Sequence, residues 1–379
     1  MTENMRDITI MSQYKVNLGF RIWPFERVWV LFLLISSLVA CAATTQLAPP
    51  TTQLPRVLVL DNCDSDYKIP PFNDAVLLLN MKGEVINQIN GLNICQNIGG
   101  NRAISVSDDG HFFVVCENVG NKITAYDLMT GNKMWSLPGM FRSAAIAQDV
   151  IYVLTSDDKI YGDGILAIDS EGNIIKQSKG IKGFDIVVDP DANSLWLAGR
   201  DIKKCNMDLQ IVRTIDPITH YAVSIDRGPD GSVWVVERAH IDVKGSQNRL
   251  LRISSEGNIL QNIPLNLLSP MCVCVNRSDG SVWVTGIYLR IKRKLSFRRW
   301  PPSWQRTYKY IGSGTHKYSS RGRLLLEIKR GGHSIDIDPS NGSVWIADRT
   351  KLLHYTSGGK KLETCDDVSD DHKWITVAR

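Results

Sequence analysis

The chain has 379 residues, 43% hydrophobic and 22% charged, with a formal net charge of +5. That make-up excludes an intrinsically disordered chain, and the length is ample for a buried core. In chain order the first element is an uncharged apolar run of 13 residues, Val28 to Ala40, preceded by Lys15, Arg21 and Arg27. A positive flank before a short apolar stretch predicts a signal segment over residues 1–40, and the run is short for a membrane span.

The run ends in Leu38-Val39-Ala40-Cys41, which resembles the lipobox of bacterial lipoproteins. The resemblance implies cleavage before Cys41 and acylation of its thiol, with Met5 or Met11 as alternative starts. The competing reading is an uncleaved anchor helix from Val28 to about Ala48. Either reading places the remainder outside the cytoplasm, at the bacterial cell envelope and facing the periplasm or the exterior. Residues 41–55 then read as a lipidated Cys and a flexible tether, uncharged and carrying Pro49, Pro50 and Pro55.

From residue 56 to 379 one pattern recurs: an alternating apolar strand, a turn rich in Asp, Asn or Gly, then a strand beginning with an aromatic. The best copies cover 184–199, 222–237, 271–286 and 333–348, with weaker ones at 103–117 and 144–156. Each is followed by a second hairpin with a Gly turn, as in GILAIDSEGNIIKQ, so that two hairpins make a four-stranded unit. Repeats about 40 residues long fit the blades of a β-propeller. Residues 57–90 lack a first strand, and Lys373 to Val377 form a first strand lacking its blade. Joining the two predicts an all-β propeller of seven four-stranded blades, closed by the C-terminal strand, with six as the alternative count. Closure of this kind hides both terminal edges. The recurring aromatics Phe113, Tyr152, Trp196, Trp234, Trp283 and Trp345 are expected at one structural position, packed between blades.

Stretches such as GPDGSVWVVE (228–237) and HSIDIDPSNGSVWIAD (333–348) resemble the NHL-type propellers and the streptogramin (virginiamycin B) lyases related to them. Enzymes of that group, the resemblance implies, build a site at the central channel around a divalent metal. Here His333 enters an innermost strand, whereas the matching positions are Arg102, Ser143, Phe184, Tyr221, Met271 and Lys373, and two of those are cations. Glu237 falls on the glutamate of the lyase-like WxxE pattern, and Asp348 occupies the same strand exit in the last repeat. His333, Glu237 and Asp348 are the candidate catalytic residues and the only candidate ligand set, with chemistry suited to a divalent ion.

Eight cysteines are present; seven remain if Cys41 is lipidated, and an odd number leaves at least one thiol unpaired. Cys272 and Cys274 are expected on one face of a strand as small buried hydrophobes, and Cys63 with Cys365 is the one pairing that ring closure makes attractive.

The sixth repeat carries a basic insertion, 289–326, with eleven Lys or Arg and no Asp or Glu. Removing those eleven leaves 33 basic residues against 39 acidic ones, a balance of −6, so the positive charge of the chain is local. Arg293, Lys294, Arg298, Arg299, Trp300, Trp304, Arg306 and Tyr308 are the candidate surface-binding residues of what reads as a loop. Cations interleaved with aromatics suit an anionic surface or an acidic protein partner, and export argues against nucleic acid. The sequence thus favours a non-catalytic binding or scaffold protein, held to the membrane by its lipid; the alternative is a metal-dependent lyase or lactone hydrolase at the channel.

Overall fold

A computed structural model describes residues 57–62, 74–92, 102–117, 121–155, 160–215, 221–239, 247–267, 269–296, 303–348, 351–365 and 371–378. The predicted signal segment, Cys41, the tether, Cys63, Cys95, Arg298, Arg299 and Trp300 lie outside them.

The described residues form seven four-stranded antiparallel sheets and no helix, a seven-bladed propeller. Blade 1 is ordered β28 (Asp371–Val377), β1 (Val57–Asn62), β2 (Asp74–Leu79) and β3 (Val85–Leu92). The other blades follow the chain from their innermost strand outward. Blade 2 holds β4 (Ile104–Val106), β5 (Phe112–Glu117), β6 (Lys122–Asp127) and β7 (Lys133–Pro138), and blade 3 holds β8 (Phe141–Ala147), β9 (Val150–Thr155), β10 (Gly164–Ile168) and β11 (Ile174–Gln177). Blade 4 comprises β12 (Asp185–Asp189), β13 (Ser194–Ala198), β14 (Ile202–Asn206) and β15 (Ile211–Ile215). Blade 5 comprises β16 (Tyr221–Arg227), β17 (Val233–Arg238), β18 (Arg249–Ile253) and β19 (Ile259–Pro264). Blade 6 contains β20 (Ser269–Val275), β21 (Val282–Ser296), β22 (Ser303–Tyr318) and β23 (Leu324–Ile328), and blade 7 contains β24 (Ser334–Ile337), β25 (Val344–Ala347), β26 (Leu352–Tyr355) and β27 (Lys361–Cys365).

The ring closes as the unpaired ends predicted. Val57 pairs with Val377, Val59 with Ile375 and Leu60 with Trp374, so the last strand completes the first blade. Leu54–Arg379 is one compact unit, and every blade within it has four strands supplied from 57 onward.

Seven hydrophobic clusters hold the ring together, one between each pair of neighbouring blades. Each second strand divides its side chains between two clusters: Leu195 and Leu197 face blade 3, Trp196 and Ala198 face blade 5. With both faces buried, these strands read as nearly continuous apolar runs. Tyr152, Trp196, Trp234, Trp283 and Trp345 all pack against the following blade. Phe113 corrects the expected pattern. It packs against the preceding blade 1, and Val114 takes the position facing blade 3 that the tryptophans occupy elsewhere.

Above three of the tryptophans a cation reaches the next blade. Lys204 lies 5.5 Å over Trp196 and donates to the Ser255 carbonyl, Arg252 lies 5.6 Å over Trp234 and donates to Ser320, and Lys317 lies 5.3 Å over Trp283 and donates to Ser357. Each accepting carbonyl belongs to the tight turn joining the two outer strands of the next blade. Those turns share one chemistry, in which an Asn, Asp, Ser or Thr side chain accepts the backbone N–H four residues on, as Asn80, Asp169, Asn206, Ser254, Ser319 and Thr356 do. The fourth residue of the turn has positive φ and is glycine except at Leu209 (φ 61°), whose side chain is buried between blades 3 and 4.

Candidate functional site

The channel is built from the inner strands. Residues of all seven, from Ile104 in β4 to Val377 in β28, line one cavity of about 170 Å³. Inner strands of adjacent blades do not pair as a sheet, so a backbone N–H facing the channel needs another acceptor. A repeated Ser-Ile-Asp supplies it. Ser224 accepts from the Val273 N–H and Asp226 from Val275 at 2.8 Å; one blade from closure, Ser334 accepts from Ile375 and Asp336 from Val377 at 2.8 Å. Asp185 plays the same part between blades 4 and 5, accepting from the Ile225 N–H and from the Ser143 and Ser224 hydroxyls.

Arg102 crosses the channel from blade 2. Its guanidinium is 2.8 Å from Asp226 and 3.8 Å from Asp185, and it donates to the Ile225 carbonyl at 3.0 Å. Burial opposes the Asp226 charge, but Arg102 and then Arg277 outweigh it and hold that carboxyl below the usual range. For Asp185 burial dominates despite Arg102, and for Asp336 burial also raises the carboxyl. This is an ion-paired brace whose carboxylates accept from backbone N–H groups, serine hydroxyls and Arg102, so its acceptors are already occupied.

His333, Glu237 and Asp348 are not assembled into a ligand set: among the described residues no group of three or more His, Cys, Asp or Glu side chains is placed to hold a metal ion. His333 begins the approach to β24, its N–H donating to the Ala347 carbonyl. Asp348 is buried at the exit of β25, 4.0 Å from Arg330. Glu237 is buried in β17, 3.6 Å from Arg249 Nε; burial pushes its carboxyl up to about 7, against a smaller opposing pull from Arg249. Glu117, at the equivalent exit in blade 2, pairs with Lys122 and accepts from Thr124. Strand-exit carboxylates are therefore each matched to a nearby cation within their own blade or its neighbouring turn.

Cys272 and Cys274 share a face, as expected from their spacing, in the cluster between blades 6 and 7. Burial pushes the Cys272 thiol up to about 12 and Cys274 well above its ordinary value. Cys205 is likewise raised, to about 11. These thiols behave as small hydrophobes. The Cys365 thiol donates to the Gly83 carbonyl at 3.3 Å; its suggested partner Cys63 is outside the described residues.

The basic insertion is not a loop. It is an extension of β21 and β22, which stay paired from Val282↔Tyr318 to Ser296↔Ser303, whereas β20 last meets β21 at Ser269↔Ile287 and β23 joins β22 only at Thr315 to Tyr318. Nine residues of β21 lie beyond its last partner in β20, about 30 Å of strand. Its C-terminal boundary is also corrected: Thr315–Tyr318 and β23 belong to the blade, so Lys317 is one of the cations over tryptophan, and Arg321 and Arg323 lie in or beside a blade turn. Among the described residues the extension covers 288–296 and 303–312, and the sequence from 288 to 312 holds eight Lys or Arg and no carboxylate. Its register places Arg293 opposite Arg306, Ile291 opposite Tyr308, Leu295 opposite Trp304 and Lys294 opposite Gln305.

No protein-family model matches the chain, and no curated protein sequence matches it. Solved structures do. Hydrazine synthase of Kuenenia stuttgartiensis superposes with a TM-score of 0.55 at 15% identity, over 71% of this chain and 80% of that one. A 6-phosphogluconolactonase-like protein of Bacteroides uniformis superposes with a TM-score of 0.57 at 11% identity, over 86% of this chain and 100% of that one. At such identities the likeness is one of fold: this chain is a seven-bladed β-propeller.

Proposed function

We propose that the protein is a non-catalytic binding or scaffold propeller of the bacterial cell envelope, tethered through a lipid on Cys41, with the blade 6 hairpin as its contact surface. The NHL-type ancestry suggested by the Asp-Gly-Ser-Val-Trp repeats belongs to the same reading. One observation carries it: the paired extension of β21 and β22 runs past its blade with six cations and no carboxylate among its described residues, while the other 38 basic and 39 acidic residues of the chain nearly cancel. Such a surface suits an anionic surface or an acidic partner rather than nucleic acid, given the expected export. The channel offers less, because Arg102, Asp185 and Asp226 are engaged with one another. Replacing 288–312 with a two-residue turn tests the reading. Loss of binding to anionic vesicles and to acidic polypeptides, with the melting temperature unchanged, supports it; retention of both defeats it.

One observation favours a second reading, a metal-dependent lyase or lactone hydrolase at the channel. Glu237, at the position of the lyase-like WxxE glutamate, has a carboxyl that burial raises to about 7, in the range that general acid–base chemistry near neutral pH would use. Metal analysis of the purified protein, with activity measured before and after chelation, separates the two readings.

A further inference from the structure

Beyond the bulge at Tyr288/Leu289, directly opposed residues of β21 and β22 share a face, and faces alternate along each strand. The register therefore sorts the hairpin into two unlike sides. Leu289, Ile291, Leu295, Trp304, Tyr308 and Tyr310 fall on one, with Arg293 opposite Arg306 at its centre. Arg290, Lys292, Lys294 and Lys309 fall on the other, whose remaining positions are Ser296, Ser303, Gln305 and Thr307. A two-stranded hairpin is marginal in water by itself and needs a surface to cover its apolar side.

We infer that the apolar side seats in the interfacial layer of an anionic phospholipid bilayer. This rests on the reading of the hairpin as the contact surface and names its partner class. Trp and Tyr rings prefer headgroup depth, where their polar ends stay wet. Arg293 and Arg306, opposed in the register on that side, add two cations suited to lipid phosphates. The four cations opposite are separated from the surface by about the thickness of one sheet layer, near 10 Å and comparable to the screening length at physiological salt, so they still attract it. An acidic protein strand fits less well: Arg290, Lys292 and Lys294 line β21, the kind of edge that discourages strand addition, and main-chain pairing would leave the apolar side uncovered. Among the described residues neither strand edge is paired in the sheet beyond the blade, which sets the depth at the interface, because unpaired backbone groups are not tolerated in the hydrocarbon core.

The test uses Leu54–Arg379, the complete ring, and measures cosedimentation with vesicles of phosphatidylcholine alone or mixed with phosphatidylglycerol, at about 0.1 M and about 0.5 M NaCl. One variant carries Leu295→Ser, Trp304→Ser and Tyr308→Ser; a second carries Arg290→Glu, Lys292→Glu, Lys294→Glu and Lys309→Glu. Melting temperatures confirm that both retain the blades. The expected result is binding to the mixed vesicles, weakened about tenfold or more at the higher salt by the serine variant and abolished by the glutamate variant. Equal binding by the serine variant overturns the bilayer inference and leaves a purely electrostatic contact. Binding to polyglutamate without binding to vesicles overturns it in favour of an acidic protein. Failure to bind either probe overturns both this inference and the contact-surface reading beneath it.

Discussion

Glu237→Gln isolates one buried charge. In the folded chain this carboxyl titrates at about 7 against an ordinary 4.5, with burial as the cause and Oε2 left without a hydrogen-bond partner. A folded pKa raised above the unfolded one means that the folded state holds its proton more tightly. Stability is then greatest below about pH 4.5, falls as pH rises toward 7, and is flat beyond. A displacement of that size corresponds to roughly 3 kcal/mol, a figure that already includes the opposing attraction to Arg249. Glutamine cannot ionise, so the variant is expected to match the wild type near pH 4.5 and to exceed it by roughly 3 kcal/mol at pH 8.5. Urea unfolding of the two proteins at both pH values measures the difference, in which the titrations of all other groups cancel. Parallel stability profiles would refute the reasoning and place Glu237 in contact with water or with a second cation.

Arg102→Met removes the partner of two buried carboxylates and is expected to cost about 3–5 kcal/mol at pH 7. The deficit should shrink as pH falls, since protonating Asp226 and Asp185 relieves the orphaned charge; equilibrium unfolding at pH 7 and pH 5 checks it. Lys317→Met loses both the contact over Trp283 and the hydrogen bond to Ser357, for an expected destabilisation of about 1–2 kcal/mol in the same assay. Truncation before Asp371 strips blade 1 of its inner strand and exposes the edge of β1. Loss of a cooperative melt together with aggregation is expected, and a normal melt would contradict closure by β28.

Most of the fold is legible in the sequence because each blade repeats the same local chemistry. Alternating apolar residues fix the faces of the strands, Asp-Gly and Glu-Gly-Asn fix the turns, and the missing first strand of residues 57–90 points to Trp374 and Ile375. Phe113 departs from the repeat because two adjacent aromatics, Phe112 and Phe113, begin the strand, and the hydrogen bond from the Ser107 N–H to the Phe112 carbonyl sets the phase. The hairpin was hidden for a related reason. Lys292-Arg293-Lys294 puts cations on both faces, masking the period of two that Leu289, Ile291 and Leu295 otherwise show. Its far boundary was readable, since Tyr318-Ser-Ser-Arg-Gly-Arg repeats the turn of Ile253-Ser-Ser-Glu-Gly-Asn. So was the Ser-Ile-Asp of 224–226 and 334–336, a polar motif in an otherwise apolar inner strand. The reach of Arg102 across the ring was not legible, because it depends on which blades stand opposite once the ring has closed.

Vesicle and polyanion binding by the ring with and without residues 288–312 tests the central claim most directly. The account predicts saturable, salt-sensitive binding by the intact ring and none after excision, with the two proteins melting at the same temperature. Undiminished binding by the excised ring would contradict it and move the contact surface elsewhere on the propeller.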